Sequence, residues 1–316
     1  MSEFPAATDC AVSVVIAAYS LERLDAIEAA LNSVRKQNLP PHRVVLAVDN
    51  NPALAELVTQ RFDWATVVSN TGGRGASATR NAGAAVVDTE FTAFLDDDET
   101  ADPDWLLELT RPFADPAVVG TGGRYTPCWG GTRDGVKPAW FPDDFAWVVG
   151  GAYEGMPTTT AEVRNVWAGN MAVRTAAFRA VGGFRADFGK QDVVSEPEDT
   201  DLCIRMADGR GHWMYVPSAV IFHDVPASRA SFAFFLRRCV SEGRGKAALR
   251  DRLGSDSAID VERDYVWRSL RTAVARLLSL EPRRMQQGAA ALLGMGCAGA
   301  GFAAQLIRTH RIGERS

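Results

Sequence analysis

The chain has 316 residues, 47% hydrophobic and 23% charged. That is ordinary globular usage, which excludes a long disordered polymer and leaves room for one large domain with an extension or for two small ones. Its net charge of −5 gives no basic signal for nucleic acid. The mild sum hides an asymmetry: residues 226–316 carry 16 Lys/Arg against 8 Asp/Glu, while the first 225 carry 18 against 31. An acidic body suited to metal ions therefore precedes a basic third suited to phosphates or an anionic membrane surface. Cys10, Cys128, Cys203, Cys239 and Cys297 are scattered, odd in number and without a CxxC pair. This excludes a disulfide framework and a zinc knuckle and favours a reducing cytoplasm.

Residues 1–11 read as a loose tail, with neither the basic nor the apolar region of a secretory signal. The run 12–18 (VSVVIAA) is short, continuous and β-branched, as expected of a strand buried on both faces. Leu21, Leu24, Ile27, Leu31 and Val34 follow at helical spacing, then a second buried run at 43–49 (RVVLAVD). The alternation continues with a helix at 56–62, a strand at 65–69, a helix at 76–87 and a strand at 91–95. Such alternation predicts an α/β fold with a doubly wound, mostly parallel sheet, whose ligands sit at the carboxyl ends of its strands.

Residues 124–157 are dense in Gly, Pro and Trp with little periodicity and read as a long irregular loop. Regular patterns resume with a strand over 166–173, helices over 175–181 and 198–206, and a strand over 213–222. Trp129, Trp140, Trp147 and Trp167 are either core residues or a surface for stacking a sugar. From 226 onward the pattern becomes an Arg-rich helical extension, over 231–249 and 259–280. Residues 285–307 contain no charge and would make a helix of about 34 Å, long enough to span a bilayer. Five glycines and three glutamines in that stretch leave three readings open: a packed soluble helix, an interfacial or oligomer-forming helix, and a true span.

Three clusters carry chemistry. Asp96, Asp97, Asp98 and Glu99 directly follow an apolar strand; carboxylates this close are costly unless a cation neutralises them, and oxygen ligands suit Mg²⁺ or Mn²⁺. The Gly-rich segment 70–83 opens a helix and contains Arg74 and Arg80, which favours anions. It is neither a Walker loop nor a dinucleotide fingerprint. Glu196, Glu198, Asp199 and Asp201 crowd a helix start; that is more acid than a cap requires, and one of them is a candidate general base.

In this order the pieces resemble the family-2 glycosyltransferases with the glycosyltransferase A fold. Residues 12–20 (VSVVIAAYS) look like that family's first strand and turn, 79–83 (TRNAG) its ARNxG segment, and 96–98 (DDD) its DxD motif. Residues 169–174 (GNMAVR) with 181–184 (VGGF) resemble its acceptor-side segment, and 198–202 (EDTDL) its EDxDL motif. The resemblance covers about 12–225, implying a catalytic domain there and a separate extension over 226–316. It implies that Asp49, Arg80, Asp96, Asp97 and Glu198 lie on the nucleotide side, Asp98 and the late His223 hold the metal, and Asp199 is the general base. Arg238, with Arg237 and Lys246, stands where a phosphate ligand is expected. Asn50-Asn51-Pro52 replaces the usual second acid after Asp49, a departure that bears on the base contact. The processive QxxRW motif is absent, which favours single addition.

The implied activity is an inverting, Mn²⁺- or Mg²⁺-dependent transfer of a sugar from a nucleoside diphosphate, UDP favoured, to a hydroxyl on a glycan, lipid or natural product. The alternatives are transfer to a polyprenyl phosphate and a non-catalytic membrane-associated scaffold. The expected setting is cytoplasmic, with the C-terminal helices offering peripheral membrane contact or a homo-oligomer interface.

Overall fold

The computed structural model describes residues 11–185, 190–191, 194–195, 198–209, 211–253 and 260–313. The tail read over 1–11 therefore lies, but for Ala11, outside the described residues, as do Glu196 and Pro197. In chain order the elements begin β1 (Val12–Ala18), a 3₁₀ turn (Leu21–Arg23), α1 (Leu24–Arg35), β2 (Arg43–Asp49), α2 (Pro52–Arg61), β3 (Thr66–Asn70), α3 (Ala76–Ala85), β4 (Phe91–Asp96), β5 (Glu99–Ala101) and α4 (Trp105–Thr110). There follow β6 (Val118–Trp129), β7 (Ala161–Val163), β8 (Asn170–Arg174), α5 (Thr175–Ala180), a short antiparallel pair β9 (Lys190–Gln191) and β10 (Val194–Ser195), α6 (Glu198–Ala207) and β11 (His212–Val225). Helices α7 (Phe232–Leu253), α8 (Asp260–Leu277) and α9 (Pro282–Gly313) close the chain.

The main sheet has nine strands in the order β3-β2-β1-β4-β8-β6-β11-β5, with β7 also on β11. It is mixed. Strands β3, β2, β1 and β4 run parallel, as the strand-helix alternation predicts, whereas β8 returns antiparallel to β4 and β5 antiparallel to β11. The parallel half is covered on both faces, which is why its strands read as continuous apolar runs. Val14 and Ile16 of β1 and Val44, Leu46 and Val48 of β2 pack with Ile27, Leu31, Leu54 and Val58 of α1 and α2. The alternate residues Val15, Val45 and Ala47 pack with Ala84, Phe178 and Leu202 of α3, α5 and α6.

The chain divides into two compact units, Met1–Thr126 with Pro157–Gly189 and Glu198–His223, and Pro127–Met156 with Lys190–Pro197 and Asp224–Ser316. The first holds nearly all of the sheet. Strand β6 was not legible in the sequence, because its glycines argue against a strand. Here they are required by close approach: a Cβ at Gly120 would lie 2.2 Å from the Trp213 ring, one at Gly122 2.2 Å from Val166, and one at Gly123 2.1 Å from the Ala219 carbonyl oxygen. Because the Gly123 neighbour is backbone, Gly123→Ala is expected to destabilise the fold by about 2–3 kcal/mol, read as a lower urea midpoint.

In the second unit the part of the 124–157 stretch beyond Thr126 forms the end of β6 and a 3₁₀ segment, Asp143–Val149. Trp129, Phe141 and Phe145 form a core there with Phe235 of α7 and Ala291 of α9. Buried Asp144 pairs with Arg276, and the Trp147 indole N–H donates to Tyr265 at 2.8 Å. Trp140 packs against Phe141, and in the first unit Trp167 packs edge-on against Tyr125. Helices α7 and α9 approach through glycine: a Cβ at Gly243 would lie 1.9 Å from the Ala298 carbonyl oxygen, and one at Gly301 2.2 Å from that of Val240. The opposite side of α9 leaves Leu293 and Ile307 exposed. Among the described residues α9 is the one helix long and apolar enough to cross a membrane, over Pro282–Thr309 at mean hydropathy 1.6.

Candidate active site

Strand β4 leaves the sheet at Asp96, turns through Asp97 and Asp98, and re-enters as β5 at Glu99. Strand β11 pairs with β5 so that His223 faces Glu99 in register. One ligand atom each of Asp98, Glu99 and His223 lies within 4.8 Å of the others, and His223 Nε2 is 3.6 Å from Asp98 Oδ2. His223 Nδ1 is buried and finds no hydrogen-bond partner among the described residues, and neither does Asp97 Oδ2. Arg23 joins the turn from the first unit's 3₁₀ segment, with Nη1 2.6 Å from Asp97 Oδ1 and Nη2 against Asp98 Oδ2.

Burial sets the electrostatics of the turn. Asp97, 2% exposed, is pushed up to about 7 by burial, with Arg23 opposing and Asp98 and Asp96 adding to the rise. Burial likewise holds the Glu99 carboxyl well above the usual range, reinforced by Asp96 and Asp98. These acids are undercompensated by the side chains around them. Two carboxylates and an imidazole converging there fit a divalent cation such as Mn²⁺ or Mg²⁺.

A second group shares this unit. Arg80 of α3 is only 4% exposed; it lies 2.5 Å from Asp96, 3.7 Å from Glu198, and over the Phe184 ring at 5.6 Å. Its guanidinium thus ties the end of β4 to the start of α6. Burial pushes Glu198 up to about 7, with Asp199 adding to the rise and Arg80 opposing. The folded value lies above the unfolded one, so its contribution to stability is fully present below about 4.5 and is lost as pH rises through about 7. Glu198→Gln is therefore expected to match the parent in Tm at pH 5 and exceed it at pH 8. The full rise corresponds to about 3 kcal/mol, reduced to about 1–2 kcal/mol by the side chain's partial exposure, at roughly 2–4 °C in Tm for each kcal/mol.

Within the EDxDL segment the acids divide by environment. Asp201 is fully buried and paired with Arg205 at 2.7 Å and Arg185 at 3.2 Å, so it anchors α6. Asp199 is half-buried in the first turn, its Oδ1 accepting from the Thr200 N–H at 2.7 Å. Asp49, at the end of β2, accepts from the Asn50 and Asn70 amides at 2.9 and 3.1 Å and from the Gly75 N–H at 2.9 Å. Asn50 makes its contact from the left-handed region, φ 46°, which asparagine tolerates. Asp49 thereby orders the Gly-rich loop. Arg238 lies on α7 in the second unit and pairs with Glu242 at 3.1 Å.

Arg23 carries no local signal and reads as one more charge on an amphipathic helix. Glu99 belongs to the acidic cluster read from the sequence, but only the structure sets it with Asp98 and His223. Gly169 heads the GNMAVR segment, and the structure supplies its reason: a Cβ there would lie 2.8 Å from both Glu99 carboxylate oxygens and 2.9 Å from Asp96 Oδ2.

Comparison with known proteins agrees with this architecture. The family described as "Glycosyl transferase family 2" matches residues 13–182. Glucosyl-dolichyl phosphate glucuronosyltransferase of Haloferax volcanii is 30% identical over 244 residues, covering 75% of this chain and 77% of that protein. Pre-mycofactocin glycosyltransferase of Mycobacterium tuberculosis is 28% identical over 227 residues, 63% of this chain; the match spans 46% of that protein, about half its length. Among solved structures, mannosyltransferase PcManGT from Pyrobaculum calidifontis, in complex with GDP-Man and Mn²⁺, aligns with a TM-score of 0.57 at 20% identity, over 98% of this chain and 82% of that one. GalNAc-T7 with UDP, GalNAc and Mn²⁺ aligns with a TM-score of 0.54 at 14% identity, over 81% of this chain and 54% of that one. With a family match over more than half of its length and a relative 30% identical over three quarters of it, the chain belongs to glycosyl transferase family 2 and is a glycosyltransferase.

Proposed function

We propose that the chain is an inverting, metal-dependent glycosyltransferase that moves a sugar from a nucleoside diphosphate to a hydroxyl acceptor. The observation that carries this reading is the convergence in one unit of the Asp98–Glu99–His223 trio with Arg80, Asp96 and the half-buried Asp199. Asp49 and the loop it orders serve the nucleoside, and Asp96, steered by Arg80, serves the ribose side. Arg80 acts through Asp96 and Glu198, since its own guanidinium is buried between them. Asp98, Glu99 and His223 would hold the divalent ion, which supplies charge neutralisation for the departing diphosphate. Asp199 takes the proton from the acceptor hydroxyl as its oxygen attacks the anomeric carbon and the bond to the diphosphate breaks. No second acid is needed, because the leaving group is already a weak base.

A panel of UDP, GDP, TDP and CDP, with and without Mn²⁺, tests this by thermal shift. A Mn²⁺-dependent rise with one nucleotide, UDP in our reading, is expected; no rise with any of them would favour a non-catalytic scaffold.

For the acceptor we infer a sugar hydroxyl carried on a lipid phosphate. The Haloferax relative is named for a glucosyl-dolichyl phosphate, and α9 exposes Leu293 and Ile307 on an uncharged stretch of a basic segment. These features support peripheral contact with a membrane. The full chain should then co-sediment with anionic vesicles, and absence of co-sedimentation at low salt would count against the membrane setting.

A further inference from the structure

We propose that Arg23 is a resident counter-cation of the acidic turn, one that competes with the divalent metal for Asp98, so that metal binds tightly only together with a nucleoside diphosphate. The inference rests on the metal reading above. Its basis is one shared atom: Asp98 Oδ2 contacts Arg23 Nη2 and also faces His223 Nε2 at 3.6 Å. A cation held by Asp98, Glu99 and His223 must take over the oxygen that the guanidinium holds.

The surroundings let Arg23 yield that oxygen without leaving the site. Its other nitrogen, Nη1, is 2.6 Å from Asp97 Oδ1, and Asp97 is buried on the turn between β4, held by β1 and β8, and β5, held by β11. Asp97 is thus a fixed anchor and Asp98 the exchangeable partner. The guanidinium carbon also lies 5.2 Å from the centroid of the exposed Tyr19 ring, a further favourable contact on the open side. The Arg23, Asp97 and Asp98 side chains are 23%, 3% and 17% exposed, so the attraction a metal must overcome is less screened than on an open surface.

A diphosphate alters the balance by adding negative charge beside the same turn. The turn can then hold both cations: metal on Asp98, and a guanidinium anchored on Asp97 and free to meet phosphate oxygens. Metal and nucleotide affinities become coupled, and the coupling is reciprocal. Arg23 is a positioning residue in this scheme, and its substitution should change metal affinity in the absence of any turnover.

The test is a Mn²⁺ titration of the full chain, following free Mn²⁺ by electron paramagnetic resonance with no nucleotide, with UDP and with GDP. The proteins are the parent, Arg23→Met, and the charge-balanced double variant Arg23→Met/Asp97→Asn, which keeps the test open if the single variant does not fold. Without nucleotide, the folded variants are expected to bind Mn²⁺ about tenfold tighter than the parent, and nucleotide should improve their Mn²⁺ affinity less than it improves the parent's. Nucleotide-free Mn²⁺ affinity in the variants equal to or weaker than the parent's overturns the inference while leaving the metal site intact. Absence of Mn²⁺ binding to the parent with either nucleotide overturns the metal reading itself.

Discussion

Asp199→Asn is expected to lower kcat by about 10²–10⁴, the usual contribution of a positioned general base, with little change in KM for either substrate. Asparagine keeps the shape and can still accept from the Thr200 N–H, which Asp199 does at 2.7 Å, so the start of α6 should be preserved. Circular dichroism and an unchanged Tm would confirm that. The magnitude also separates the acceptor classes. A hydroxyl must lose its proton as it attacks, whereas a phosphate acceptor is already an anion and gains little from a base. Near-normal turnover of Asp199→Asn on a hydroxyl acceptor would refute the base assignment; a modest loss confined to a phosphate acceptor would favour direct transfer to polyprenyl phosphate.

Asp98→Asn is expected to reduce kcat/KM by about 10³, since charge neutralisation by a bound metal is worth several kcal/mol. It should also abolish the Mn²⁺-dependent part of the nucleotide thermal shift while leaving the metal-free fold at least as stable. Stability is expected to hold because the turn is overloaded with acid: the neighbouring Asp97 and Glu99 are both raised by burial, and Asp98 adds to the rise in each. Removing one negative charge relieves its neighbours even though a contact with Arg23 is lost. Full retention of Mn²⁺-dependent stabilisation in this variant would remove Asp98 from the ligand set.

The strand at Arg43–Asp49 was legible to the residue, because a strand buried on both faces must be apolar throughout. The end of β4 was plain to within one residue, the strand read over 91–95 closing at Asp96, because an apolar run breaking into three aspartates marks where the chain leaves the core. Strand β6 was not legible, since Gly120, Gly122 and Gly123 answer to Trp213, Val166 and the Ala219 carbonyl, all distant in sequence. The environments of the acidic residues were hidden for the same reason. Asp199 and Asp201 are two positions apart, yet one is half-buried at a helix start and the other is locked between two arginines.

What the sequence determined by itself is what local chemistry expresses: the alternation of strands and helices, the carboxylate turn after β4, the acid-rich start of α6, and an uncharged stretch over 285–307 in a basic segment. Tertiary structure alone decided who meets whom. Strand register set His223 beside Glu99, the first helical turn delivered Arg23 to Asp97 and Asp98, and α3 packing buried Arg80 between Asp96 and Glu198. Periodicity reports which face of an element is apolar, but it carries no information on the non-local pairings that bring distant charges within a few ångströms and so set their protonation and their affinity for a cation.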